Sequence, residues 1–71
     1  MEELSIVRIV KLDTSDRHFD GSIGVKRAPR VGDIGTVVHK TGDLHIVESV
    51  NREGLTEWLA DFTSDELEEV E

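Results

Sequence analysis

RVGDIGTVVHKTGDLHIVESV, residues 30–50, decides the fold. Two readings compete for it. In one, Gly32 and Gly35 punctuate a loop that holds phosphate or nucleic acid. In the other, the stretch is two β-strands joined by a turn. A phosphate cradle needs its loop to end at a helix N-terminus, where free backbone N–H groups converge. Here the glycines open onto TVVHK, a β-branched run that favours a strand over a helix. We therefore read 33–40 as a strand, Thr41-Gly42-Asp43 as the turn and 44–51 as the next strand. Gly32 and Gly35 become turn and close-packing positions where the chain enters the sheet.

The flanks extend the β pattern. LTEWLADF (55–62) alternates, with Thr56, Trp58, Ala60 and Phe62 on one face and Glu57 and Asp61 on the other. Trp58 and Phe62 are expected to anchor the core. LSIVRIVKL (4–12) is another β-branched strand with imperfect alternation, as expected of a strand covered on both sides or one carrying a bulge. The tail TSDELEEVE has a capping-box pattern, Thr63 followed by Glu66. It predicts a short 3₁₀ turn with Leu67 tucked in, then a last short strand through Val70. Between the first two strands lies a long Gly-, Ser- and Asp-rich connection, 13–32, with no sustained period. Phe19 and Ile23 are expected to fold back onto the core. Five short strands with turns at this spacing predict an all-β fold, a small five-stranded SH3-like barrel with one long loop.

The chain has 71 residues and no cysteine. It reads as a single domain, residues 1–71, with a core limited by its size: about 60% of the unfolded surface is buried in so short a chain. A cytoplasmic, reducing setting fits the lack of cysteine. The N-terminus begins acidic and Arg8 and Lys11 interrupt its apolar run, so it does not read as a signal peptide. No apolar stretch approaches the roughly 20 residues of a membrane helix. Net charge is −8, distributed unevenly. Residues 1–40 hold seven Lys/Arg against six Asp/Glu, and residues 41–71 hold one against ten. Nucleic-acid binders draw most of their affinity from phosphate contacts, which an acidic chain disfavours.

The chain resembles a family of small prokaryotic proteins, domain of unknown function 4926. The matching residues are RVGDIGTVVH (30–39), the V-E-x-V run from Val47 to Val50, Gly54 with TEWLADF (56–62), and DELEEV (65–70). The resemblance covers roughly residues 4–12 and 30–71, and it implies the SH3-like barrel. The loop 13–29 is longer than in that family. His45 and Ser49 stand where the family pattern has a large aromatic. The glycine motif also occurs in KOW-type ribosomal and transcription modules and in SH3-like subunits of photosynthetic complexes. The family brings no catalytic residues. Some relatives look like small partners of toxin-like proteins, which implies an antitoxin- or immunity-type role.

Four functions are weighed on the residues. Ser, His and Asp are present but without a nucleophile signature such as G-x-S-x-G, so catalysis is not expected. A metal site draws on His39, Asp43 and His45. With a three-residue hairpin loop Lys40 pairs with Leu44, and His39 faces His45 at about 5 Å between Cβ atoms; a two-residue loop pairs Lys40 with His45 instead. An RNA- or ribosome-associated role draws on the basic cluster Arg17, Lys26, Arg27 and Arg30, with Phe19 as the one stacking platform. Protein binding is the leading expectation, through the 13–32 loop or the acidic residues Asp61, Asp65, Glu66, Glu68 and Glu69, which suit a basic partner. No cofactor is expected, and the chain is expected to be a monomer or a weak homodimer.

Overall fold

A computed structural model describes residues 1–14 and 16–70. Ser15, inside the predicted long loop, and Glu71 lie outside the described residues. The fold is all-β. Its elements are β1 (Ile6–Ile9), β2 (Ile34–Thr41), β3 (Leu44–Val50), β4 (Thr56–Thr63), a 3₁₀ turn (Ser64–Glu66) and β5 (Leu67–Glu69). They form one antiparallel sheet in the order β4-β3-β2-β1-β5. Four strands run as a meander, with the long connection between β1 and β2. The fifth strand returns to the free side of β1, pairing Val7 with Glu69 and Ile9 with Leu67.

The hairpin within residues 30–50 forms as the β-branched run predicts, but its loop holds two residues. Thr41 pairs with Leu44 and Lys40 with His45. Gly42 takes φ +57, while Asp43 is outside the left-handed region. Glycine at the first central position is the signature of a type II′ turn, whose twist matches that of the strands. A bulge follows at Val38, where the register shifts between Val37 and His39. A second bulge falls at Glu57, between the pairs Ser49–Trp58 and Val50–Thr56.

One face of the sheet holds the core. Val7, Ile9, Val37, Val47, Trp58, Ala60, Phe62 and Leu67 are buried together. Trp58 and Phe62 meet edge to face, with centroids 5.5 Å apart. The expectations for Trp58, Phe62 and Leu67 hold. Phe19 packs against this core, but Ile23 is fully exposed, contrary to the expectation. It lies in a turn (23–25) whose backbone bonds are local, with Val25 and Lys26 N–H both donating to the Ser22 carbonyl.

The ladder does not close into the barrel predicted from sequence: among the described residues β4 and β5 share no strand pairing. The long connection pairs with the free edge of β4 instead. Asp20 and Leu59 exchange both backbone hydrogen bonds, at 3.0 and 2.8 Å. Ser22 N–H donates to the Thr56 carbonyl and Arg27 N–H to the Glu57 carbonyl. This covers an edge of β4 that would otherwise offer a template for aggregation. The connection then returns to β1, where Gly32 N–H meets the Ile9 carbonyl.

Gly35 shows why the sequence needs glycine at that point of β2. A Cβ there would sit 2.7 Å from Val47 Cγ1, 2.8 Å from the Glu48 carbonyl oxygen and 3.2 Å from the Trp58 ring. Gly35→Ala is expected to destabilise the fold by about 1–3 kcal/mol through overpacking. Urea denaturation followed by Trp58 fluorescence measures it; an unchanged midpoint would contradict the packing described.

Candidate functional site

Two carboxylates organise the region around the long connection. Glu66 is 1% exposed. One of its oxygens accepts from Asp13 N–H at 2.8 Å and Arg17 Nη2 at 2.5 Å. The other accepts from Thr63 N–H at 2.9 Å, completing the capping box the sequence predicts. The Arg17 guanidinium lies 4.4 Å from the Phe62 ring centroid. It is therefore held between β4 and the 3₁₀ turn. Asp33 is the second hub. One oxygen accepts from Arg27 Nη1 at 2.7 Å, Arg30 N–H at 2.9 Å and Trp58 Nε1 at 3.0 Å.

Burial raises the pKa of both carboxyls, but the donors outweigh it. Arg17 and the backbone N–H groups of Asp13 and Thr63 hold Glu66 below the ordinary glutamate value. Arg27, Arg30 N–H and the Trp58 indole do the same for Asp33.

The predicted basic cluster does not assemble into a phosphate-binding face. Arg17 is half-buried and paired with Glu66, and Arg27 bridges Asp33 and Glu57. Lys26 stacks on Phe19 at 5.2 Å. Arg30 is an exposed residue beside them. The predicted acidic surface is also partly consumed. Glu68 pairs with Arg8, Asp65 with Lys11 and Glu69 with the N-terminal amine. Glu66 is inside the fold, so it is no contact surface. Of the five acidic candidates, Asp61 is the one with no ion-pair partner among the described residues. The pairs of these acidic candidates join residues 49 to 68 positions apart, so neither composition nor periodicity reveals them.

The metal candidates separate. With Lys40 opposite His45, His39 faces Ile46 rather than His45. His39 is exposed, with Nε2 3.0 Å from Thr41 Oγ1. His45 is 2% exposed on the core face, with Nδ1 3.0 Å from the Asp43 carbonyl oxygen. The Asp43 carboxylate accepts from Ser64 Oγ instead. Among the described residues no cluster of three or more His, Asp or Glu has metal-binding geometry. His45 and Ser49 both turn into the core.

The opposite face of β3 and β4 is what the sequence reading passed over. Its cross-strand rows are Leu44–Thr63, Ile46–Asp61 and Glu48–Leu59, with Asp20 continuing the last across its bridge to Leu59. A cavity of about 430 Å³ opens there, between this face and Thr14, Arg17, His18 and Asp20. A second, of about 470 Å³, lies within the connection between Leu12, Phe19, Ala28 and Pro29. Among the described residues no helix is long and apolar enough to cross a membrane. Comparison with known proteins returns no matching family model, no matching curated protein and no matching solved structure.

The lowered pKa values of Glu66 and Asp33 set an acid limit. Their contribution is full above the unfolded carboxylate values, about 4, and is lost as pH falls through the folded ones. Stability measured by urea titration is expected to hold from pH 7 to about 5 and decline below about 4. In Glu66→Gln that decline is expected to be shallower, and the protein less stable at pH 7 by about 3–5 kcal/mol, because Arg17 loses its counter-charge. An acid limb identical to that of the parent would contradict the assignment.

Proposed function

We propose that this chain is a non-catalytic module of the SH3-like barrel type that binds another protein through the outer face of its sheet. The strand order supports the barrel reading: a four-stranded meander whose fifth strand returns beside the first. The long connection pairs with the free edge of β4 and is tied to the 3₁₀ turn through Arg17 and Glu66.

The composition of the outer face carries the binding reading. An antiparallel sheet with one face on the core normally turns polar residues to water on the other. Here Ile6, Ile34, Val38, Leu44 and Val50 are each 40–52% exposed, with Ile46 and Leu59 half-buried among them. Apolar surface gathered on one face marks an interaction site. The net charge of −8 favours a basic partner, by attraction and by faster encounter. An antitoxin- or immunity-type role, which the family resemblance implies, has this character: a small acidic protein covers the basic surface of a toxin-like protein.

Val38→Ser/Leu44→Ser tests the surface without touching the core. The immobilised parent chain is expected to retain one basic protein stoichiometrically from an extract of its source cells. The variant, with an unchanged denaturation midpoint, is expected to retain about tenfold less, as for loss of an interface anchor. Equal retention by both, or no stoichiometric partner for the parent, would refute the proposal.

A further inference from the structure

We infer that the cavity between Arg17, His18 and Asp20 and the β3–β4 outer face receives a lysine or arginine side chain of the partner. The inference rests on the protein-binding reading above and names the chemistry that part of the surface recognises.

The sheet supplies an apolar floor. Leu44, Ile46 and Leu59 line the cavity from adjacent strands. The rim is acidic. Asp61 lies directly across from Ile46, and Asp20 directly across from Leu59, so both carboxylates stand on the face that carries these apolar side chains. Asp61 is exposed and has no ion-pair partner among the described residues. Asp20 has only a distant contact with His18 Nε2, at 3.7 Å. Arg17, the cation in the lining, is neutralised by Glu66 at 2.5 Å and takes no share of the rim charge.

A lysine or arginine matches this arrangement in both parts. Its aliphatic stem lies along apolar surface while its charged head stays at the rim. There the head makes charge-assisted hydrogen bonds to carboxylates. An acidic side chain would meet the uncompensated Asp20 and Asp61. A wholly apolar one would desolvate them without replacing their hydrogen bonds, which is costly. The occupant is therefore basic.

Four blocked pentapeptides test this on the full chain, labelled with ¹⁵N. All have the sequence Thr-Val-X-Val-Thr, with X as arginine, lysine, citrulline or glutamate. The arginine and lysine peptides are expected to shift the amide signals of Ile46, Leu59, Asp61 and Asp20, the stronger binder naming the preferred head group. Citrulline keeps the shape of arginine without its charge and is expected to bind at least about threefold more weakly, the scale of an exposed ion pair. Glutamate is expected to give no shifts. In Asp20→Asn/Asp61→Asn, which keeps the parent's pattern of signals, the preference for arginine over citrulline is expected to vanish. Equal binding of arginine and citrulline, shifts located elsewhere, or no binding would overturn the inference. A captured partner that the Asp20→Asn/Asp61→Asn variant still retains would also overturn it, while leaving the outer-face reading intact. Groove binding of the arginine peptide, with no partner captured by the parent chain, would instead remove the outer-face reading and leave the groove.

Discussion

The Glu66 carboxylate is the contact on which the rest of the structure depends. A buried charge is tolerated only when paired and hydrogen-bonded, and removing one partner strands the other. Glu66 meets that condition with three donors: Arg17 and Asp13 in the long connection, and Thr63 at the end of β4. It is the third residue of a capping box and the counter-ion of an arginine 49 positions earlier. One side chain thus fixes the turn into β5 and the path of the connection.

The connection is consequently part of the sheet's architecture. With Arg17 fixed, Asp20 is placed to bond Leu59, and the chain continues along β4 to Arg27. Asp33 secures the far end by binding Arg27 and the Trp58 indole together. The two sheet margins are managed differently. The long β4 edge is covered by backbone, whereas β5 is three residues long and carries Glu68 and Glu69, a short and charged margin that discourages further pairing.

Strands, turn glycines and the Thr63–Glu66 cap were legible because each is signalled within a few residues. Period-2 burial in 56–62 is local, and so is a β-branched run after glycine. The hairpin register was not settled by sequence, since loops of two and three residues both fit KTGDL. It turns on Gly42 taking the first central position, and that removes the His39–His45 pairing on which a metal site depended. The connection was legible only as something long and polar. Its course follows from ion pairs between distant residues, and a sequence shows Arg17 and Glu66 as two surface charges. The outer face escaped notice for a related reason: Leu44, Ile46 and Leu59 read as ordinary strand residues until the register shows which side they share.

The internal pairing also shapes what is left for a partner. Arg8, Lys11, Arg17 and Arg27 are engaged with carboxylates of the same chain. On and beside the β3–β4 face Asp20, Glu48 and Asp61 have no Lys or Arg partner among the described residues, so folding itself separates the structural charges from those available outside. Glu66 holds Asp13 and Arg17, and with them locks the Asp20 end of the connection onto β4. Native-state hydrogen exchange of the Asp20 and Leu59 amides measures this directly. Each donates into the bridge that joins the connection to β4. Protection of both close to that of the β2–β3 amides, and its loss in Glu66→Gln at a pH where the core amides stay protected, is the predicted result. Exchange of both at the rate of an exposed loop in the parent protein would contradict it.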